Sequence, residues 1–257
     1  MGILEKMRLD GKAALVTGGA RGIGKSIATA IAEAGADVAI VDLDIEEAKK
    51  TADQISQLGV KTIAIQTDVT CEDDVNRMMD TILAAFGKLD VAFCNAGICI
   101  NTPADEMTYE QFKKVIDINL NGVFLTSQAA AKVMLKQGRG SIINTASMSG
   151  HIVNVPQPQC AYNASKAGVI MLTKSMAVEF AKKGVRVNSI SPGYIGTDLI
   201  LEAQHLKALI EEWNSMSPIG RLGRPDELQA IAVYLAGDAS DFTTGADFVI
   251  DGAFTCF

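Results

Sequence analysis

The sequence predicts an α/β fold built on a doubly wound parallel sheet. Three observations lead there. Short apolar runs alternate with longer segments of helical period along the 257 residues. The runs are apolar at successive positions rather than at every second one, the pattern of strands covered on both faces. The first run passes through a glycine-rich turn, TGGARGIG at 17–24, straight into a helical pattern. No linker, repeat or low-complexity tract breaks this order, so residues 1–257 read as a single domain.

The candidate strands, in order, are AALVT (13–17), VAIVD (38–42), TIAIQT (62–67), VAFCN (91–95), SIINTAS (141–147), VRVNSIS (185–191) and DFVID (247–251). Between them, IEEAKKTADQISQLG has helical period and a stop at Gly59. EDDVNRMMDTILAAFG opens on acids, which favour the positive end of a helix, and closes at Gly87. Residues 197–225 hold two helical pieces and no strand, and are expected to form a mobile flap over a site.

Composition excludes several functions. Net charge is −7, so phosphate backbones and anionic membranes are repelled, and neither nucleic acid nor membrane is an expected partner. The N-terminal MGILEKMRLDG reads as neither a secretory signal nor, with Lys6 in place of Ser or Thr, a myristoylation site. The five cysteines are odd in number and lack CxxC spacing, and the only histidines are His151 and His205. No metal centre is expected, and a cytoplasmic protein with reduced thiols is.

The glycine turn carries the first chemistry. Gly18, Gly22 and Gly24 permit unusual φ values and let backbone N–H groups approach a pyrophosphate at a helix N-terminus, with Ile23 between them. The second strand ends at Asp42, where a carboxylate accepts from both ribose hydroxyls of adenosine and repels a 2′-phosphate. NAD is therefore expected over NADP, although Arg21 offers a partly offsetting cation. Asp68, after the third strand, meets the adenine amino group by the same logic, next to Val69. Tyr162 and Lys166 stand four residues apart, on one face of a helix. A free phenol has a pKa near 10, so only about one in a thousand is ionised at neutral pH. An ammonium beneath the ring is expected to lower that value.

TGGARGIG, CNAG (94–97), DINLNG (117–122), Ser149, YNASK (162–166), SPGYIGT (191–197), GRLGRPDEL and TTGADFVIDGA together resemble the short-chain dehydrogenases/reductases over nearly the whole chain. Cys94 departs from the usual Asn of that family's NNAG. The resemblance implies a Rossmann-type, seven-stranded parallel sheet and a homotetramer. It implies a catalytic tetrad of Asn119, Ser149, Tyr162 and Lys166. Ser149 is chosen over Ser147 because it stands 13 residues before the tyrosine. Tyr162 would be the general acid/base, Ser149 would hold the substrate oxygen and Asn119 a water relaying protons from Lys166. Asn95, Ala96 and Gly97 join Tyr162 and Lys166 at the cofactor. Pro192 and Gly193 shape the nicotinamide pocket, and Ile195 and Thr197 meet the carboxamide.

The loop HIVNVPQPQC lies between serine and tyrosine and is expected to wall the substrate. Its His151, Asn154, Gln157 and Gln159 suit a polyhydroxylated ligand, since buried amides need partners. The alternatives are that Asn154 and Gln157 tie the loop to its own backbone and that His151 is a loop packing residue. The run SMSG…VN.PQPQ.AYNASKAG is similar to the polyol and ketose branch: mannitol dehydrogenases, sorbose reductases and xylulose reductases. Many of those prefer NADPH, from which Asp42 departs. The resulting expectation is an NAD(H)-dependent oxidoreductase interconverting a secondary alcohol and ketone on a polyol or ketose. One alternative is a 3-oxoacyl-carrier-protein reductase, against which Asp42 and the acidic charge count. Another is a non-catalytic NAD-binding sensor or scaffold, which should show a broken tetrad.

Overall fold

The computed structural model describes residues 2–256. Strands β1 (Ala13–Thr17), β2 (Asp37–Asp42), β3 (Thr62–Gln66), β4 (Val91–Cys94), β5 (Gly140–Thr145), β6 (Val185–Pro192) and β7 (Asp247–Ile250) all run parallel. Their order across the sheet is β3-β2-β1-β4-β5-β6-β7, the Rossmann-type arrangement expected. The helices are α1 (Ile3–Lys6), α2 (Gly22–Glu33), α3 (Ile45–Ser56), α4 (Glu72–Phe86), α5 (Tyr109–Ile116), α6 (Gly122–Gln137), α7 (Cys160–Phe180), α8 (Asp198–Leu201), α9 (Lys207–Met216) and α10 (Gln229–Ala236).

The unbroken apolar runs are explained by what each face meets. Ala14 and Val16 of β1, Val38 and Ile40 of β2, and Phe93 of β4 join one core with Ile27 and Ile31 of α2 and Leu235 of α10. Their neighbours Leu15, Ala39, Val41 and Ala92 join a second core with Met78 and Ile82 of α4, Met134 of α6 and Val169 of α7. Successive side chains point to opposite faces of a strand, so both sets must be apolar. The edge strands β3 and β7 are the least covered.

Sheet order reverses between β1 and β4, and the crevice beyond the strand ends there is where such sheets take ligands. Asn95 braces it. Its Nδ2 donates to the carbonyls of Thr17 and Gly18 at 3.1 and 3.3 Å, and its Oδ1 accepts from Thr145 Oγ1 at 3.1 Å. The strand expected over 141–147 stops at Thr145. Ser147 instead opens a short turn, Met148–Gly150, its Oγ accepting from Ser149 N at 3.1 Å. The expected flap contains α8 and α9. Its ends are stapled where Gly196 N donates to Gly223 O at 2.8 Å and Gly223 N to Tyr194 O at 2.9 Å.

Candidate active site

α2 starts at the C-terminal end of β1, and its first amides meet no acceptor among the described residues; the first helical bond runs from Lys25 N to Arg21 O. Unpaired N–H groups at a helix N-terminus make an anion site. Glycine is required here for contact reasons as well as conformation. A Cβ on Gly24 would lie 2.0 Å from Gly18 O, and Gly18 itself has φ +61. Gly18, Arg21, Gly22, Ile23 and Gly24 line a groove of about 600 Å³ with Asn95, Ala96, Gly97, Tyr162, Lys166 and Thr197. Asp42, Asp68 and Val69 line the adjoining hollow beyond Gly18 and Ala96. The sequence thus placed most of its dinucleotide residues on one continuous surface.

At the adenosine end, Asp42 is aimed by two backbone amides, Ala20 N on Oδ2 and Asp44 N on Oδ1, both at 3.2 Å. Arg21, expected to offset its charge, is already engaged: its guanidinium donates to Asp44 at 2.6 Å and lies 3.6 Å from Glu47. Asp68 accepts from Thr70 N and Oγ1 on a single oxygen, leaving the other open.

Lys166 is 3% exposed, and its Nζ donates to Thr145 O at 2.7 Å and lies 5.6 Å from the Tyr162 ring centre. Burial pushes the ammonium down to about 8. Tyr162 is partly exposed where it lines the groove, and burial pushes its phenol up to about 12, opposed by Ser147. This corrects the expectation that Lys166 lowers the phenol. Desolvation, which disfavours the phenolate, is the largest cause of the shift. Asn119 is fully buried in a π-turn, Asp117–Asn121. Its Nδ2 donates to Ile98 O at 2.8 Å and Ser165 Oγ at 3.1 Å, and its Oδ1 accepts from Ile98 N at 2.8 Å.

Of the two serines, Ser147 and not the expected Ser149 is the one that acts on the phenol, opposing its upward shift. Ser149 stands behind it, accepting from Ser147 Oγ at 3.1 Å and from Gln159 Nε2 at 3.3 Å. Counting 13 residues back from the tyrosine crosses a loop, and loop length fixes no geometry, whereas the i,i+4 interval within a helix does.

The loop amides find partners neither in their own backbone nor in solvent. Asn154 Nδ2 and Gln157 Nε2 donate to the Tyr194 hydroxyl, Gln157 Oε1 accepts from Trp213 Nε1, and Gln159 Nε2 donates to Asn154 Oδ1. His151 is held elsewhere, its Nε2 2.6 Å from Asp247 Oδ2. That carboxylate is 8% exposed and needs donors, which Ser189 and Ser191 also supply. The sequence reading of His151 as a substrate contact therefore gives way to a sheet-edge role. Gly193 and Ile195, expected at the nicotinamide, line a separate cavity of about 140 Å³ with Tyr194 and Trp213, and Pro192 is buried at the end of β6. Residues the sequence reading missed are Tyr194 and Cys99. Cys99 lines the groove two residues after CNAG.

A family model described as enoyl-(acyl carrier protein) reductase matches residues 18–255. A solved short-chain type dehydrogenase/reductase from Mycobacterium marinum is 46% identical, with a TM-score of 0.94 and 100% of each chain covered. The chain belongs to the short-chain dehydrogenase/reductase family. Two curated relatives of this dehydrogenase/reductase are each 42% identical. One is the sorbose reductase SOU1 of Candida albicans, covering 99% of this chain and 90% of its own. The other is a probable NADP-dependent mannitol dehydrogenase of Yarrowia lipolytica, covering 99% and 91%. Members are oxidoreductases whose fold takes a nicotinamide cofactor, and the free α2 amides and the glycine cradle of this chain fit one.

Proposed function

We propose that this dehydrogenase/reductase interconverts a secondary alcohol and a ketone on a polyol or sugar-derived substrate, with NAD(H) as cofactor. One observation carries the reaction: the Tyr162 phenol and the buried Lys166 ammonium, 5.6 Å from its ring centre, together line a dinucleotide-sized groove. Gly18, Gly22, Ile23 and Gly24 would hold the pyrophosphate, Asp42, Asp68 and Val69 the adenosine, and Asn95, Ala96, Gly97 and Thr197 the nicotinamide half. Bound there, the nicotinamide gives or takes a hydride. Ser147, turning its proton away from Ser149, donates to the substrate oxygen as charge develops on it. Tyr162 gives that oxygen its proton in reduction and takes it back in oxidation. Lys166 keeps a positive charge beside the phenol, and Asn119 fixes the Ile98 backbone against α7 and its Ser165.

NAD is supported by Asp42 and by the capture of Arg21 between Asp44 and Glu47, which draws the Arg21 charge away from a 2′-phosphate. The Yarrowia relative is described as NADP-dependent, so this preference is specific to the residues here. A polyol is supported by the relatives named for sorbose and mannitol. A carrier-protein substrate is disfavoured because an acidic carrier would meet a chain of net charge −7. The test is kcat/KM with both cofactors for sorbose, fructose and xylulose against an acetoacetyl thioester. A thioester preferred by tenfold or more overturns the polyol reading, and absence of turnover with every carbonyl favours a cofactor-binding sensor. The five described cysteines are free, in keeping with a cytoplasmic protein, and assembly as a homotetramer is part of the proposal.

A further inference from the structure

Tyr194 leaves the end of β6, and its hydroxyl is where the flap meets the loop. Asn154 Nδ2 donates to it at 2.9 Å and Gln157 Nε2 at 2.7 Å. Chemistry fixes the direction of the second bond. Trp213 Nε1–H can only donate, and it donates to Gln157 Oε1 at 3.1 Å, so the amino end of Gln157 must face the tyrosine. Asn154 turns its amino end to the tyrosine while its Oδ1 accepts from Gln159 Nε2 at 3.0 Å. A phenol oxygen has two acceptor positions and one proton. Both positions are filled by amides, so the proton is left to donate, and it meets no acceptor among the described residues.

The ring is held rigidly. It stacks on Trp213 with centres 4.1 Å apart and planes 10° apart, and meets Phe254 edge-on at 5.3 Å. Tyr194 is also tied to the reacting end. The side chains of Asn154 and Gln159 lead from it to Ser149 and then Ser147. Cys99, which lines the groove with Tyr162 and Lys166, influences the ionisation of both tyrosines, and Tyr194 influences that of Tyr162. A fixed donor with no internal partner among the described residues, linked through side chains to Ser147, is a recognition group.

We propose that Tyr194 determines substrate specificity by donating its hydroxyl proton to a substrate oxygen other than the one that reacts. This rests on the polyol reading above. A ligand without that second oxygen leaves a half-buried donor unpaired and is penalised.

Tyr194→Phe keeps the ring between Trp213 and Phe254 and removes the hydroxyl alone. Gln157→Glu is a second variant: a carboxylate still accepts from Trp213 but cannot donate, so it draws the Tyr194 proton inward. For each, kcat/KM is measured for sorbose and for 3-hexanone, a plain ketone of equal carbon count. The sorbose-to-hexanone ratio is expected to fall at least about tenfold, chiefly through KM for sorbose. Emission from Trp213, the only tryptophan in the chain, reports separately whether the flap still docks on the loop. A wild-type preference for sorbose that persists in both variants with native emission makes Tyr194 a structural brace and overturns the proposal alone. A wild type with no preference for sorbose overturns the polyol reading, and this proposal with it.

Discussion

Ser147 acts on the Tyr162 phenol whereas Ser149 is bonded to Ser147, and that difference is measurable. Tyr162→Phe removes the proton that moves and is expected to lower kcat by about a thousandfold or more while NADH binding, read by fluorescence titration, persists. Ser147→Ala should cost about a hundredfold in kcat and Ser149→Ala about tenfold or less, because Ser149 acts only through Ser147. Equal losses, or a larger one at Ser149, would restore the assignment made by counting. The pH dependence follows from the same pair. Lys166 is pulled down to about 8, so its charge is lost as pH rises through that value, whereas Tyr162, pushed up to about 12, keeps its proton well beyond. Ketone reduction should therefore be level from pH 6 to 7.5 and decline above about 8. A kcat/KM profile flat to pH 9.5 would show that the lysine charge is not needed.

The segment from the end of β2 into α3 sets the cofactor. Asp42, Asp44 and Glu47 lie within it, and they act together: the first faces the hollow, the other two hold Arg21. Asp42→Ala removes one negative charge from the site of a 2′-phosphate, so the preference for NADH over NADPH should shrink by about tenfold or more. Asp44→Ala should shrink it further in combination, because it releases part of the Arg21 charge. The ratio of kcat/KM for the two cofactors reads both effects. A wild type that prefers NADPH would mean that Arg21 serves the phosphate in spite of its two acidic neighbours.

Across the whole molecule, the apolar faces of the sheet are covered, but α6 and α7 still present Phe124, Met171 and Val178 to solvent. Met171 and Val178 are seven residues apart and so share one side of α7. Exposed apolar side chains grouped on one helix face mark surfaces that associate. Sedimentation equilibrium should give a mass four times that of the chain, and Val178→Asp should lower it by placing a charge in that contact. A wild-type monomer at micromolar concentration would remove the tetramer from the proposal.

What the sequence determined by itself is what depends on local period. The seven strands could be read because each face of an interior strand must be apolar, and the glycine turn because a Cβ at Gly24 would overlap Gly18 O. Tyr162 and Lys166 could be paired because one helical turn sets their distance. Tertiary structure alone decided the rest. Ser147 takes precedence over Ser149 because the strand ends early and its last residues turn toward α7. Asn154 and Gln157 bond to Tyr194 and Trp213, which lie 37 to 56 residues away in sequence. His151 goes to Asp247, 96 residues on. The direction of the Tyr162 shift also belongs here, because desolvation depends on everything packed around an atom and not on the residue four places along. Interactions within one turn or one strand are written in sequence spacing, whereas partners brought together by the sheet are chosen by where distant segments come to rest.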